Sequence, residues 1–476
     1  MVGTLRTASL SAHCVQGWYA YVCTESTKHT RSRLPLLIGC QQEWFTSVRT
    51  GQGQDQTRPD QTRPDQTRPD RTSPARPNRM SKLTKDVFIV AAKRTAFGAF
   101  GGTLKNWSAV ELGAVAARGA LAQLPSTEIV DSVIMGNVAQ STTDCAYLGR
   151  HVGLKAGLKA EVPGLTVNRL CGSGFQSIVT GCQEIAVGDA EVVLTGGAES
   201  MSMAPYQVHG IRWGSPLGVN PPMVDSLWEC LKDQHINCPM AITAENLAEK
   251  YDITKEQADE LALRSQQLWG KAQEEGLFDA EIEPVMVKDR KKGEVEFKVD
   301  EHPRPQTTIE GLNKLKPLFK KGGVVSAGNA SGISDGAGAV IIASDSAVQQ
   351  HSLKPMARIV SYAVAGVPPE IMGFGPVPSM EMALKRAGLT LADMDLIEIN
   401  EAFAAQFLAC QKALGFDLDK ANLQGGATAI GHPTGASGSR IMGHLAYELQ
   451  RTGKRYAIGS ACIGGGQGIA IILERV

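Results

Sequence analysis

Cys171 is one of ten cysteines in this chain, and its surroundings are those of a reactive thiol. It lies in the segment Asn-Arg-Leu-Cys-Gly-Ser-Gly-Phe, residues 168–175, between a strand pattern and a helix pattern. The positive end of a helix dipole favours a thiolate, and the neighbouring glycines let a substrate approach the backbone closely. An isolated cysteine is more often a buried structural residue. The prediction of a nucleophile therefore depends on partners elsewhere in the chain.

His432 is such a partner, because it too lies on a glycine-rich turn, within residues 425–438. Pro433 is expected to occupy the first position of a helix and to keep His432 outside that helix. Most single histidines are structural, but an imidazole on a rigid turn with few bulky neighbours is well placed for a catalytic or binding role. The sequence therefore predicts a thiol and an imidazole on two matching turns.

Cys462 and Asn400 complete the set of candidate residues. Cys462 lies in a glycine-rich turn between two apolar patterns, 456–461 and 468–473, which predict a hairpin. No helix follows, and the spacing fits neither a dinucleotide-binding loop nor a Walker loop, which excludes a phosphate-binding loop. Asn400 ends a strand and opens a helix, so it either caps that helix or orients a water, and the two roles are compatible.

The elements that position these residues follow from the apolar pattern that starts at Asp86. Strand patterns alternate with helix patterns, which predicts an α/β fold with a mostly parallel sheet covered by helices. The predicted strands include 86–92, 131–136, 164–169, 191–195 and 338–344, and the predicted helices include 108–124, 172–187 and 254–275.

Two features modify this simple alternation. Residues 204–323 are richer in charge and are predicted to form an inserted, partly exposed subdomain. The second half also echoes the first. Asp131 and Asp395 each precede an apolar strand, and about 40 residues after each aspartate a glycine-rich turn presents Cys171 or His432. This pattern favours a duplicated unit.

The composition narrows the function. The chain has 476 residues, of which 43% are hydrophobic, and its 48 Lys and Arg balance its 48 Asp and Glu. With a net charge of zero, the chain has no overall positive potential that would attract nucleic acid. No apolar run approaches the length of a membrane span. The cysteines form no Cys-x-x-Cys pair, which argues against a zinc or thioredoxin-like site. We expect a globular α/β enzyme without a bound metal.

The first 79 residues differ from the rest. Asp-Gln-Thr-Arg-Pro starts at Asp55 and is repeated through Pro69, and such a segment cannot form a packed core. We predict that residues 1–79 are a disordered, low-complexity extension, either a transit segment or an extension of the reading frame, with Met80 as a plausible start. The predicted halves are residues 80–351, which include the 204–323 insertion, and residues 352–476.

Taken together, four motifs make the chain resemble the thiolase family. They are Cys171-Gly-Ser, Asn400-Glu-Ala-Phe, Gly431-His-Pro and Cys462-Ile-Gly, and the resemblance runs from about Asp86 to the C-terminus. It implies a thiolase fold of two similar βαβαβαββ halves, with a loop domain inserted in the first. It also implies a homodimer or homotetramer.

The resemblance further implies a role for each candidate residue. Cys171 would attack the 3-keto carbon of a 3-ketoacyl-CoA and form an acyl-enzyme. Cys462 would be the acid and base that protonates the departing carbanion and deprotonates the incoming CoA. His432 and a water held by Asn400 would form one oxyanion hole, and the N–H groups of Cys171 and Gly464 the other.

Coenzyme A would be a co-substrate rather than a permanently bound cofactor. The positions that match the family's CoA-binding residues are Arg304, Thr307 and Ser331, with Phe319 packing on the pantetheine. An arginine suits a phosphate or adenine contact. These assignments follow from the resemblance and not from any local pattern.

The substrate subtype follows from the loop around Met240, which is a candidate substrate-binding residue. Biosynthetic acetoacetyl-CoA thiolases tend to carry His-Met where this chain has Pro239-Met240, so the chain looks most like 3-ketoacyl-CoA thiolases of mitochondrial fatty-acid β-oxidation. Ala241, Gln424 and Thr428 depart from the usual residues. The alternatives are an acetoacetyl-CoA thiolase or an acyl-CoA thioesterase, and the expected location is the mitochondrial matrix or else the cytosol.

Overall fold

The computed structural model describes residues 85–476. The predictions for residues 1–79 and for a start at Met80 lie outside the described residues. Within 85–476, no helix is both long and apolar enough to cross a membrane. In the same part of the chain, no three His, Cys, Asp or Glu side chains gather as a metal site would require.

Strands and helices alternate through most of the described chain. The strands are β1 (Val87–Arg94), β2 (Gly98–Ala99), β3 (Ser132–Gly136), β4 (Gly164–Val167), β5 (Val192–Ser200), β6 (Tyr206–Val208), β7 (Met223–Asp225), β8 (Lys232–Asp233), β9 (Cys238–Pro239), β10 (Val285–Asp289), β11 (Gly293–Phe297), β12 (Ser334–Ser344), β13 (Ala357–Gly366), β14 (Leu396–Ile399), β15 (Tyr456–Ile463) and β16 (Gln467–Arg475). The helices are α1 (Ala109–Leu121), α2 (Leu148–Lys155), α3 (Ser173–Val187), α4 (Ser226–Cys230), α5 (Met240–Lys250), α6 (Lys255–Glu274), α7 (Ile309–Asn313), α8 (Asp345–Gln350), α9 (Pro376–Ala387), α10 (Ala404–Leu414), α11 (Ala427–Ile430) and α12 (Ser437–Thr452).

A single sheet of ten strands forms the centre of the fold. Its strand order is β14-β15-β16-β13-β1-β12-β5-β3-β4, and β2 pairs with the start of β12. The expectation of a mostly parallel sheet is wrong, because only β3–β4, β3–β5 and β14–β15 pair in parallel. The turn at residues 464–466 joins β15 to β16 directly, and so short a connection permits only antiparallel pairing.

The two halves of this sheet have the same construction. In the first half β1, β12, β5 and β3 lie side by side, and in the second half β13, β16, β15 and β14 repeat the same order and directions. The pairing of β1 shifts register after Ile89, and that of β13 shifts after Ile359. The predicted echo is therefore a repeated structural unit.

The aspartates that first indicated the echo hold equivalent positions. Asp131 Oδ2 accepts the backbone N–H of Glu191 at 2.8 Å, where β5 begins. Asp395 Oδ2 accepts the N–H of Arg455 at 2.9 Å, where β15 begins. Each aspartate thus joins the start of one parallel strand to the start of the next.

Two helix layers enclose the sheet. Side chains alternate along β12, so that Val340 and Ile342 contact the layer of α3 and α12 while Ile341 contacts α1 on the opposite face. In the second half, α9 and α10 cover that opposite face. The helices α3 and α12 therefore lie side by side and contact strands of both halves of the sheet.

The segment after β5 carries three short strand pairs and several helices that project from this scaffold. Its principal helix, α6, confirms the predicted helix and begins after Thr254, whose hydroxyl accepts the N–H of Gln257 in a capping box. Apolar residues of α6, among them Leu261, pack in the same cluster as residues of α10. This contact fixes the projecting segment beside the second half.

Candidate active site

Cys171 lies on a sharp turn between β4 and α3, as the sequence predicts. Leu170 adopts a left-handed backbone conformation, with φ of 46°, which is unusual for a residue with a β-carbon. Side-chain bonds hold the turn: Ser173 Oγ accepts the Arg169 N–H at 2.9 Å and donates to the Leu170 carbonyl at 2.7 Å. Since Gly172 is the N-cap of α3, Cys171 immediately precedes the helix.

The Cys171 thiol is nonetheless not a thiolate at neutral pH. Burial raises the pKa of Cys171 to about 11, and the backbone N–H groups of Gly464 and of Cys171 itself lower it only in part. The helix N-terminus favours the thiolate, but this effect does not prevail here. Desolvation by apolar surroundings outweighs the helix dipole.

His432 lies on the matching turn of the second half, at the end of α11. Pro433 does not open a helix as expected: α12 begins at Ser437, and Pro433 only starts the turn that leads into it. The imidazole Nδ1 lies 2.6 Å from Ser437 Oγ, and that hydroxyl donates to the Pro433 carbonyl at 3.2 Å. These bonds assign the proton to Nδ1 and leave Nε2 unprotonated.

Burial, with a smaller contribution from the charge of Arg440, lowers the pKa of His432 to about 4. The imidazole is therefore neutral at physiological pH. Its unprotonated Nε2 accepts a hydrogen bond from Asn400 Nδ2 at 3.3 Å. A neutral thiol and a neutral imidazole consequently form the resting pair.

Asn400 does not cap α10, because Phe403 is the N-cap and no side chain caps that helix. Of its two predicted roles, the first is thus wrong. The Asn400 Oδ1 atom is buried and has no hydrogen-bond partner among the described residues. The neighbouring Glu401 is a structural residue, since its carboxylate accepts bonds from Ser265 at 2.8 Å and from Asn422 at 2.9 Å.

Cys462 lies at the end of β15 and is fully buried, and the predicted hairpin is confirmed. Burial raises its pKa well above the ordinary value, and the Cys171 sulfur adds to this effect. Met372 and Ala402 pack against Cys462 and also line the cavity that contains Cys171. A few apolar atoms thus separate the second thiol from the cavity surface.

The wall of the cavity above Cys171 is largely apolar. Five of the predicted residues line it, namely Cys171, Met240, Phe319, Ser331 and His432. The other lining residues are Met201, Trp228, Leu231, Lys232, Pro239, Ala241, Ala330, Gly332, Ile333, Met372, Ala402, Phe403 and Thr434.

Arg304 and Thr307 line a second cavity and not the first. Arg304 Nη1 donates to three backbone carbonyls of its own loop, including that of His302 at 2.8 Å. Residues 327–332 connect the two cavities, because Ala327 and Gly328 line the second while Ala330, Ser331 and Gly332 line the first. The predicted CoA-binding residues are therefore divided between two cavities that share the border segment 327–332.

Glu199 is a buried carboxylate beside the candidate site that no sequence motif indicated. It is fully buried near the end of β5, beyond the predicted end of that strand. Its Oε2 accepts from the Gly435 N–H at 2.9 Å and from the Thr434 hydroxyl at 2.8 Å, beside His432. Both oxygens also bind the segment after β3, through Asn137, Val138 and Ala139. One carboxylate thus joins the two halves at the site.

The first turns of α3 and α12 touch at two glycines. A β-carbon on Gly174 would lie 2.6 Å from the Ser439 nitrogen, and one on Gly438 would lie 2.3 Å from the Phe175 nitrogen. Only glycine permits so close an approach of the two backbones. The positive ends of both helix dipoles consequently converge near Cys171 and His432.

A buried ionic network lies behind α12. Arg94 binds Asp300 through two bonds of 2.7 and 3.0 Å and binds Glu281 at 2.8 Å, and the other Glu281 oxygen lies 2.8 Å from His444 Nδ1. His444 Nε2 then reaches Gln424, one of the three positions that depart from the family pattern, at 3.2 Å. The departure at Gln424 thus belongs to the packing behind the site.

Comparison with known proteins gives consistent matches. The family described as thiolase, N-terminal domain, matches residues 87–346, and thiolase, C-terminal domain, matches residues 353–475. The chain is 60% identical over 393 residues to the human protein named 3-ketoacyl-CoA thiolase, mitochondrial, covering 82% of this chain and 99% of the relative. It is 48% identical over 402 residues to an acetyl-CoA acetyltransferase of Escherichia coli, covering 82% and 100%.

Solved structures agree with these matches. The crystal structure of human mitochondrial 3-ketoacyl-CoA thiolase has a TM-score of 0.82 and 59% sequence identity, and the match covers 83% of this chain and all of that one. The same human protein in complex with CoA has a TM-score of 0.81 and 58% identity, with 83% and 99% covered.

Proposed function

The chain belongs to the thiolase family of acyltransferases, and we propose that it cleaves 3-ketoacyl-CoA with coenzyme A to yield acetyl-CoA and a shortened acyl-CoA. The observation that carries this proposal is the pairing of Cys171 and His432 on equivalent turns, with Cys462 buried beside them. The high identity to human mitochondrial 3-ketoacyl-CoA thiolase supports the 3-ketoacyl-CoA subtype. The reaction is reversible, so the same residues would also catalyse Claisen condensation.

The first step is attack of the Cys171 sulfur on the 3-keto carbon. Because both partners are neutral at rest, the thiol proton moves to His432 Nε2 as the carbon–sulfur bond forms. The resulting Nε2–H then faces the new oxyanion and donates to it. The bond between Nδ1 and Ser437 Oγ keeps the imidazole in the required tautomer and orientation.

Asn400 supports the same oxyanion. Its unpartnered Oδ1 is suited to hold a water that donates a second hydrogen bond. A further oxyanion, formed when CoA attacks the acyl-enzyme, would be bound by the N–H groups of Cys171 and Gly464. Both groups already lower the pKa of the Cys171 thiol, which supports their assignment to that oxyanion.

Cys462 serves as the proton carrier. Cleavage of the carbon–carbon bond leaves a carbanion on acetyl-CoA, and the high pKa of Cys462 keeps the thiol protonated and able to donate. The thiolate thus formed is close to Cys171 and takes the proton of the incoming CoA thiol. Acyl transfer to CoA follows, and the Cys171 thiolate that leaves recovers its proton from His432 Nε2.

Coenzyme A would extend from the Arg304 cavity along residues 327–332 to Cys171. Arg304 and Thr307 would contact the nucleotide, while Phe319 and Ser331 would contact the pantetheine. The apolar wall around Cys171 disfavours water as the acyl acceptor, and Cys462 has no role in hydrolysis. Both observations favour thiolysis over the thioesterase alternative.

We also propose self-association and a mitochondrial location. The β6–β7 hairpin region exposes large apolar side chains, with Trp213 at 94%, Met223 at 69% and Leu217 fully exposed, and such a patch on a protein surface marks a contact site. A homodimer or homotetramer would cover it. Several relatives are named as mitochondrial proteins, which supports the matrix over the cytosol. Light scattering and cell fractionation test these two proposals.

The central test is product analysis. Purified protein is incubated with 3-ketooctanoyl-CoA, with and without CoA, and the products are separated chromatographically. Thiolysis yields acetyl-CoA and hexanoyl-CoA only when CoA is present, and Cys171→Ala abolishes both products while leaving the circular dichroism spectrum unchanged. Release of free acid without CoA would instead establish a thioesterase. Activity confined to acetoacetyl-CoA would establish the acetoacetyl-CoA subtype.

A further inference from the structure

Lys232 is an unusual member of the wall of the Cys171 cavity. Among the described residues that line this cavity it alone carries a charge at neutral pH, since His432 is neutral. It is half-buried, and its ammonium makes no ion pair or side-chain hydrogen bond within residues 85–476. A cation on an apolar wall without a partner is a position that an anionic ligand would stabilise.

The backbone around Lys232 is fixed. The preceding helix α4 is capped by Asp225, whose carboxylate accepts the Leu227 N–H at 3.0 Å. Lys232 itself lies in β8 opposite Pro239 of β9. Next to it, the Met240 N–H donates to the Leu231 carbonyl at 3.0 Å. The lysine is therefore presented by an ordered hairpin that also carries Met240.

Lys232 lies on the wall that the proposed CoA path does not use. That path enters along residues 327–332, so Phe319 and Ser331 belong to the pantetheine side. Trp228, Leu231 and Lys232 come from the α4–β8 hairpin, which contributes nothing to the Arg304 cavity. The acyl chain, which must leave Cys171 away from the pantetheine, would then extend along this hairpin.

We propose that Lys232 selects 3-ketoacyl-CoA substrates whose acyl chain ends in a carboxylate. This inference rests on the proposed thiolase function and deepens it. Trp228 and Leu231 would pack on the methylene groups, and the Lys232 ammonium would bind the terminal carboxylate. A chain that ends in a methyl group would leave the cation without a partner.

The test compares two eight-carbon substrates, 3-ketooctanoyl-CoA and the 3-keto dicarboxylyl-CoA of the same length, on the full-length protein. The wild type is expected to favour the dicarboxylyl substrate in kcat/KM, and Lys232→Met to lose about 5- to 20-fold on that substrate alone. Lys232→Arg retains the charge and should retain most of the preference. Lys105→Met, which removes an exposed charge outside the cavity, is the matched control.

Each outcome separates this inference from the proposed function. Thiolysis of 3-ketooctanoyl-CoA without a preference for the dicarboxylyl substrate in the wild type would leave the thiolase function intact and overturn the role of Lys232. An equal rise in KM for CoA and for both substrates in Lys232→Met would assign the lysine to CoA phosphates, which also overturns it. If the wild type cleaves neither substrate with CoA, the proposed function itself fails. A wild type without the preference overturns the inference whatever the variants do. If the wild type has the preference, Lys232→Arg must retain it and Lys232→Met must lose it, and any other result overturns the inference.

Discussion

Glu199→Gln is the substitution that most directly tests how the site is held together. Glu199 Oε2 accepts from Val138, Thr434 and Gly435, and Oε1 accepts from Asn137 and Ala139. Glutamine has the same shape but only one oxygen. In either orientation, at least two of the five donors would face an NH₂ group instead of an acceptor.

The cost follows from these contacts. A buried donor that loses its acceptor costs about 1–3 kcal/mol, so two such donors should destabilise the fold by about 2–6 kcal/mol. The loss falls on the turn that follows His432 and on the segment beside the Cys171 turn. A misplacement of about 1 Å at a reacting group lowers the rate about 100-fold. We therefore expect kcat to fall by about one to two orders of magnitude.

The assay measures Tm together with kcat and KM for thiolysis. Burial raises the pKa of Glu199, but its five donors are matched to a carboxylate. KM for CoA should stay near the wild-type value, because Glu199 does not line the Arg304 cavity. Glu191→Gln is the control: this carboxylate lies just before the same strand and accepts from Ser344, Ser346 and Lys85, but its side chain is 44% exposed and does not contact the site. Its loss should therefore leave kcat at the wild-type value.

A wild-type Tm and kcat in Glu199→Gln would refute this reasoning. The reasoning would also fail if Glu191→Gln lowered both quantities as much as Glu199→Gln does. If Tm falls while kcat is retained, the carboxylate stabilises the fold but does not position His432.

Three further predictions concern protonation. Cys462→Ala should lower kcat for thiolysis by about 10²- to 10⁴-fold, because the proton carrier is lost. Iodoacetamide should still alkylate Cys171 in this variant. Retention of the wild-type kcat would remove Cys462 from the mechanism. Burial raises the pKa of Cys171 to about 11. The rate at which Cys171 is alkylated in the free enzyme should therefore rise about tenfold per pH unit from pH 7 to 10. A plateau of this rate below pH 9 would contradict a neutral resting thiol. Burial lowers the pKa of His444, but Glu281 outweighs this effect and the net shift is upward. Protonated His444 therefore stabilises the fold fully below the ordinary pKa of 6.5, and this stabilisation is lost as the pH rises through the higher pKa of the folded state. The Tm advantage of the wild type over His444→Gln should accordingly shrink from pH 6 to pH 9.

The catalytic turns could be predicted from the sequence because their signals are local. A glycine-rich segment between a strand and a helix defines the turn that carries Cys171, and a similar segment carries His432. The helix from Lys255 to Glu274 is also close to its predicted bounds, since Thr254 and Gln257 form a capping box that is visible in the sequence. In each case the residues that determine the geometry lie within a few positions of one another.

The direction of the strands depends on contacts that no local pattern records. Alternation of strands and helices predicts parallel pairing, but β12 returns to the sheet only after more than a hundred residues of inserted chain and lies antiparallel to both β1 and β5. The predicted end of β5 falls too early for the same reason. Its last residues, including Glu199, are polar or small and are held in the strand by pairing with β12.

The ionisation of the site is likewise a property of the tertiary structure. A helix N-terminus is visible in the sequence and favours a Cys171 thiolate, whereas the apolar wall that opposes ionisation comes from several distant segments. Glu199 illustrates the same point. Its five partners lie about 60 residues before it and 235 or more residues after it, so nothing near Glu199 in the sequence indicates its role.

The contact between Gly174 and Gly438 separates what can vary in this site from what cannot. The spacing of thiol and imidazole depends on two main chains in direct contact, and a main-chain contact has no rotamers to exchange. The walls that receive the acyl chain, in contrast, consist of side chains on the α4–β8 hairpin. Substitutions on that hairpin can therefore change the substrate range, while the distance between the Cys171 thiol and the His432 imidazole stays the same.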